Sequence, residues 1–367
     1  MGRISWLRLK NIDWLTFSAI FFLVVISLGV IYGISINPVD PDSLIFSKQL
    51  AFATIGLLIF FVMSNINYRV WMTYSKIIYI ASAALLLYVL YFGLTIRGTT
   101  GWISLGFISF QPVEFAKVGL IIFLAKYFSD YGRQFFLWRH IIISGLGTVL
   151  LMVLVLLQPD LGSAIVLFGT WLLMLLIVGI SRKQIAILII SIIVMSLMSW
   201  FFVLAPYQKD RIVTFINPQS DALGVGYNVR QSIIAVGSGQ LLGRGFGLGS
   251  QSQLKFLPEA ETDFIFAVLG EEFGLIGIVI LLSIFFMLMI RLLATATRTT
   301  DNFAAFFTLG LASLFIVHSF INIGMNVGIA PVAGIPLPFI SAGGSSLISF
   351  FIAFGIASNI MVDTRSR

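Results

Sequence analysis

Apolar residues in this chain come in long unbroken runs rather than in alternation. Such runs recur near 13–35, 46–66, 71–93, 112–130, 137–157, 161–180, 184–205, 263–291, 303–326 and 343–362. Each is close to the ~20 residues a helix needs to cross a ~30 Å hydrocarbon layer. The pattern predicts an all-α, polytopic membrane protein of about ten transmembrane helices, forming one domain over 1–367. A membrane β-barrel would show alternating segments of about 9–11 residues instead. One stretch breaks the series. Between the seventh and eighth runs, about 206–262, lie Lys209, Asp210, Arg211, Asp221, Arg230, Arg244, Lys255, Glu259, Glu261 and the glycine-dense Gly243–Gly249.

Charge assigns the two sides. An even number of spans puts both termini together, and that side collects Arg3, Arg8, Lys10, Arg69, Lys76, Lys126, Arg133, Arg139, Arg182, Lys183, Arg291, Arg298, Arg365 and Arg367. Short cytoplasmic loops are enriched in Lys and Arg, so the termini are expected in the cytoplasm and the long loop outside. The first run follows three basic residues, as in a signal peptide, but continues to about Gly33 without a convincing cleavage site. It is read as a retained first helix.

Composition agrees: 59% of residues are hydrophobic and 10% charged, against about 45–50% and 25% in soluble domains. The net charge of +7 is spread singly over segment ends, which suits topology signals better than nucleic-acid binding. Cysteine is absent, excluding disulfides and thiolate chemistry. His140 and His318 are too few and too far apart in sequence to propose a metal cluster.

The outward connections are unusual. They include Arg97–Gly106, Gln111–Lys117, the tight Gln158-Pro-Asp-Leu-Gly162, and Asn326–Ser346, which holds Pro331, Gly334, Pro336, Pro338, Gly343 and Gly344 yet stays apolar. Irregular backbone at membrane depth survives only inside protein or along a cavity, so the outward face is expected to hold one.

Ionisable residues at or inside spans are costly and therefore informative: Glu114, Lys117, Asp160, Asp263, Glu271 and Glu272. Glu114 and Lys117 are i, i+3 neighbours on one helix face; structural pairing and substrate contact both fit. Asp263 follows Thr262, a plausible N-cap, so helix capping competes with a chemical role. Asp263, Ala267, Gly270, Gly274 and Gly277 form a stripe of small residues, which would turn Asp263 into the bundle. Glu271 and Glu272 are expected two turns deeper, in a structural network. The glycine run lacks the strand and spacing of a dinucleotide motif; flexibility and close approach to a ligand remain its readings. Residues 227–240 suggest a short helix on the membrane surface carrying Arg230.

At these residues the chain resembles the shape, elongation, division and sporulation (SEDS) family. The matching stretches are Arg97-Gly-Thr-Thr-Gly-Trp102, Phe110-Gln-Pro-Val-Glu-Phe-Ala-Lys117, Gln158-Pro-Asp-Leu-Gly162, Asp210-Arg-Ile, Gly226-Tyr-Asn-Val-Arg-Gln-Ser232, Leu257–Phe266, Gly270-Glu-Glu-Phe-Gly274 and Gly334–Ser346. Asn11-Ile-Asp-Trp14 and the lack of long tails favour the rod-shape (RodA) branch over the division (FtsW) branch.

The resemblance implies polymerisation of lipid II into peptidoglycan on the outer face of the cytoplasmic membrane, for cell elongation. Implied partners are a class B penicillin-binding protein and other elongation-complex membrane proteins. It places the essential aspartate at Asp263, with Glu114, Lys117 and Trp102 at other positions tied to activity; Glu261 stands where many members carry histidine. The chemistry asks for a base on the acceptor 4-hydroxyl, assigned to Asp263, and cations at the departing diphosphate. Lys117, Arg211 and Arg230 are candidates for the cations, with Asp160 a further candidate contact. A magnesium or manganese ion bridging the diphosphate is the candidate cofactor; no protein ligand cluster in the sequence demonstrates one. A lipid II flippase and a non-catalytic scaffold for the transpeptidase are the alternatives.

Overall fold

The computed structural model describes residues 12–36, 43–96, 98–104, 106, 109–132, 137–202, 204, 206–217 and 224–366. Arg3, Arg8, Lys10, Asn11, Arg97, Arg133, Asp221 and Arg367 lie outside them.

Helix α1 (Trp14–Ser35) is started by Asp13, whose carboxylate accepts from Thr16 N at 3.0 Å. The other Asp13 oxygen binds Arg291 Nη2 at 2.6 Å and Arg365 Nη1 at 2.9 Å, tying α1 to two later helices. After α1 come α2 (Ser43–Asn65), the short α3 (Arg69–Thr73), α4 (Ser75–Phe92), α5 (Pro112–Tyr131), α6 (Trp138–Leu156), α7 (Leu161–Val178) and α8 (Arg182–Phe202). The long connection carries α9 (Pro206–Ile216), α10 (Val225–Ser238) and α11 (Ser250–Gln253), and α12 (Ile265–Arg298), α13 (Asn302–Asn326) and α14 (Gly344–Ser366) complete the chain.

Among the described residues, nine helices are long and apolar enough to cross a membrane. Helix α5 is the tenth long helix. At twenty residues it reaches about 30 Å, but it carries Glu114, Lys117, Lys126 and Asp130. Its position explains the tolerance. One apolar core gathers α1, α2, α12, α13 and α14, and another gathers α4, α6 and α7. Helix α5 sits on the seam, giving Val118, Ile121 and Ala125 to the first and Leu120, Leu124 and Phe128 to the second. Thirteen of its residues are buried, so Glu114 and Lys117 face protein instead of lipid. Helix α8 is the opposite case, with Gln184 its one buried residue.

The all-α expectation holds with one small exception. Three short antiparallel strands, β1 (Leu94–Ile96), β2 (Thr99–Ser104) and β3 (Ser109–Phe110), fold between α4 and α5 in the order β1-β2-β3. Thr100 N donates to Gln158 O at 3.3 Å and Gln158 Nε2 to Leu86 O at 2.8 Å, pinning the sheet beside the α6–α7 turn.

The expected eighth span, 263–291, differs most. Helix α12 starts at Ile265 and runs on to Arg298, and it is broken at Gly274 (φ 64°, ψ −161°). Gly274 is therefore a break and not part of a continuous small-residue stripe. A straight helix would carry position 272 roughly 13 Å further along the axis than Asp263. Instead, Asp263 O touches Asn322 and Asn326 at the end of α13 away from the termini. Glu272 likewise lies against Gly33, near the corresponding end of α1. The segment Ile265–Phe273 thus lies across the ends of the bundle, so Glu271 and Glu272 are not deeper than Asp263 as the spacing suggested.

The glycine-dense run repairs this break. Arg244 N and Gly245 N donate to Glu271 O and Glu272 O at 2.9 and 3.1 Å. Leu275 N and Ile276 N donate to Gln240 O and Leu241 O at 2.8 and 3.2 Å. Orphaned backbone groups at a helix break in a membrane protein need such partners. A Cβ on Gly239 would collide with Gly270 O, and one on Gly243 with Glu272 O. The close approach that Gly239 and Gly243 permit is to this helix. Helix α10 packs with them rather than floating on a surface: Ser232 is fully buried, and its Oγ donates to Asn326 O at 2.8 Å.

Candidate active site

At the end of the bundle away from the termini, a cavity of about 380 Å³ is lined by residues from seven separate stretches of chain, Gln111 before α5 among them. Trp102 comes from β2, Asp160 from the α6–α7 turn, Arg211 from α9, Asn228 from α10, Glu259 and Asp263 from the approach to α12, and Gly334 and Pro336 from the α13–α14 connection. The sequence-expected cavity exists, and it gathers Trp102, Asp160, Arg211 and Asp263.

Four helices begin on this cavity. Gln111, Asp160, Phe264 and Gly343 stand immediately before or at the starts of α5, α7, α12 and α14, and all four line it. A helix start carries unpaired N–H groups and about half a positive charge, so the four starts supply positive potential beside the carboxylates of Asp160, Glu259 and Asp263. Asp160 offsets part of that field, because its Oδ1 caps Ser163 N at 2.9 Å. Arg211 adds a full positive charge; its Nη1 donates to Val332 O at 3.4 Å.

The turn bearing Asp263 is held mainly by its backbone. Asp263 O accepts from Asn322 Nδ2 at 3.0 Å and Asn326 Nδ2 at 2.9 Å. Thr262 O accepts from Ser341 Oγ at 2.6 Å, and Glu261 O from Ala342 N at 2.8 Å. Asn326 Oδ1 also accepts from Ala267 N at 3.1 Å. The expected Thr262 cap is not made: the N-cap of α12 is Phe264, without a side-chain cap bond. Thr262 Oγ1 instead donates to Glu259 Oε2 at 3.0 Å. Gly334, at φ +67°, faces the carboxylate, and a Cβ there would sit 3.8 Å from Asp263 Oδ2.

The other expected residues divide. Glu114 and Lys117 form an ion pair at 2.7 Å, both nearly inaccessible, and neither lines the cavity. They belong to a layer beneath it, where His318 Nδ1 lies 3.4 Å from Pro336 O. Pairing, rather than contact with the cavity, is what the structure displays for them. Arg230 is exposed on α10 and does not line the cavity, whereas Asn228 does. Glu271 holds the start of α11, its Oε1 accepting from Gln251 N at 3.0 Å and Ser250 Oγ at 3.2 Å.

Sequence reasoning missed Asn322, Asn326, Ser341 and the cavity role of Glu259. The first two left a trace: His318, Asn322 and Asn326 recur every four residues in an otherwise apolar run, one polar line on a helix face. Asn322 is fully buried and also donates to Ile335 O at 2.8 Å. Removing it in Asn322→Ala orphans that carbonyl, with an expected cost of about 1–3 kcal/mol. Thermal unfolding in detergent should show the loss, while an unchanged midpoint would mean that water replaces the amide.

Comparison with known proteins places this architecture. The family model FTSW_RODA_SPOVE, described as "Cell cycle protein", matches residues 9–366. The chain belongs to this family. The peptidoglycan glycosyltransferase MrdB of Escherichia coli K12 is 38% identical over 341 residues, 92% of this chain and 90% of that protein. Stage V sporulation protein E of Bacillus subtilis is 38% identical over 347 residues, 92% of this chain and 93% of its own. Among solved structures, the rod shape determining protein RodA of Thermus thermophilus superposes with a TM-score of 0.72 at 27% identity, covering 99% of both chains. A chain from work described as "Structural coordination of polymerization and crosslinking by a peptidoglycan synthase complex" superposes at 0.80, with 27% identity and 99% and 100% coverage.

Proposed function

We infer that this chain is a peptidoglycan glycosyltransferase of cell elongation, using lipid II as both donor and acceptor. The observation that carries the reading is the convergence of four helix starts, Arg211 and the Asp263 carboxylate on one cavity. A sugar diphosphate needs positive potential where its leaving group gathers charge, and the attacking hydroxyl needs a base. Family membership and the similarity to the peptidoglycan glycosyltransferase MrdB point the same way.

In the proposed step, an Asp263 oxygen takes the proton of the acceptor 4-hydroxyl as that oxygen bonds to the donor's anomeric carbon. The carbon–oxygen bond to the diphosphate breaks, undecaprenyl diphosphate leaves, and the sugar carbon is inverted. Helix starts and Arg211 hold the diphosphate. A magnesium or manganese ion fits the oxygen donors Asp160, Glu259 and Asp263 in chemistry. Among the described residues, however, no three acidic or histidine groups form a site by themselves. Magnesium is commonly held by one or two carboxylates plus substrate phosphates, so one or two of these carboxylates would hold it together with the diphosphate, and the ion would supply charge neutralisation there.

Basic residues near the terminal end support cytoplasmic termini and an external cavity, in the cytoplasmic membrane. A class B penicillin-binding protein is the proposed partner. A transport role is disfavoured because the charged groups beneath the cavity, Glu114 and Lys117, are closed on each other at 2.7 Å and nearly inaccessible, while Glu272 lies by Gly33, near the end of α1 away from the termini. Purified chain given labelled lipid II in detergent should produce a ladder of glycan strands on a gel. No ladder, with the partner transpeptidase absent or present, would overturn the reading.

A further inference from the structure

The loop joining α10 to α11 presents a surface that the cavity does not use. Leu241, Leu242, Phe246 and Leu248 are 65, 79, 46 and 68% exposed. Yet the loop does not stand clear of the spans. A methyl group placed on Gly29 would sit 3.8 Å from Phe246 Cε2. Gly29 lies six residues before the end of α1 at Ser35, about 9 Å inside it. Leu241 O also accepts from Ile276 N, where the exposed face of α12 begins with Leu275, Ile276 and Val279. The apolar loop side chains therefore continue a lipid-facing surface at bilayer depth.

Within that surface Arg244 is exposed. Its Nη1 donates to Ser250 Oγ at 3.0 Å, and that hydroxyl donates to Glu271 Oε1 at 3.2 Å. Lys255 is exposed beyond α11, between the exposed Leu254 and Phe256. Two cations among apolar side chains, near the end of a span, match a lipid phosphate beneath its headgroup. Arginine suits it because its fork offers further donors in a fixed plane.

We propose that residues 241–248 insert into the leaflet at the cavity end and that Arg244 binds the phosphate of an anionic phospholipid. The consequence reaches the cavity. The loop's own N–H groups hold Glu271 O and Glu272 O, at the end of the nine-residue helical segment that begins beside Asp263. Lipid engagement steadies that segment from its far end.

The chain has no cysteine, so Leu242→Cys accepts a single nitroxide label. The full chain is reconstituted into phosphatidylcholine vesicles with and without phosphatidylglycerol. The label should be open to oxygen and shielded from a water-soluble nickel chelate, whereas a label at Asp210→Cys on α9 should be open to the chelate. Nickel access at 242 equal to that at 210 overturns insertion. Shielding from both reagents overturns it too, since protein would then cover the loop. The phosphate contact is read from the immobilised fraction of chain-labelled phosphatidylglycerol. Arg244→Gln should lower its preference over phosphatidylcholine roughly fivefold, the conversion of about 1 kcal/mol per basic group at an anionic surface. An unchanged preference overturns Arg244 as the phosphate ligand.

Discussion

Asp263→Asn is expected to reduce glycan polymerisation by roughly 10²–10⁴-fold, the usual contribution of a positioned general base, while leaving the protein folded. Asparagine keeps the shape of the side chain and loses the ability to take a proton. The turn should survive because its anchors are backbone carbonyls: Asp263 O on Asn322 and Asn326, Thr262 O on Ser341, Glu261 O on Ala342. None of these bonds involves the carboxylate. The variant also separates chemistry from capping, since asparagine caps a helix about as well as aspartate. Ladder formation at the wild-type rate would sink the base assignment. A lower unfolding temperature would show instead that the carboxylate braces the site.

Lys117→Ala should be the most destabilising single change in the layer below. Glu114 and Lys117 are about 2 and 1% exposed, and removing one partner leaves an uncompensated buried charge. Breaking such a pair typically costs about 3–5 kcal/mol. Replacing both, as Glu114→Leu with Lys117→Met, removes both charges and should recover much of the stability. Thermal unfolding of the singles and the double in detergent measures the coupling. If the double variant lost the sum of the two single losses, the pair would not be acting as a pair. The expected recovery also lets activity be tested apart from folding. A stable but inactive double variant would mean that the pair shapes the cavity above it through Pro336 and His318.

Much of the fold was legible in the residues because membrane crossing depends on a segment's own composition. The positions of α1, α2, α4 to α8, α13 and α14 follow from apolar runs of sufficient length. Asp263 was legible as a candidate because charge at the edge of such a run is costly and motif-bound. What the sequence alone could not supply was partnership between distant segments. Asn322 and Asn326 lie 59 and 63 residues from the carbonyl they hold, and no periodicity announces that contact. The break at Gly274 looked like one more small residue in a stripe, because a glycine in a helix face and a glycine at positive φ are written identically. Only the docked loop, donating Arg244 N and Gly245 N and accepting from Leu275 N and Ile276 N, makes the interrupted helix affordable in a membrane protein. Span identity was thus a property of local hydrophobicity. The depth of Glu271 and Glu272, the exclusion of Arg230 and the meeting of four helix starts at Asp263 were decided by tertiary packing, because they depend on which orphaned backbone groups and buried charges find partners in space.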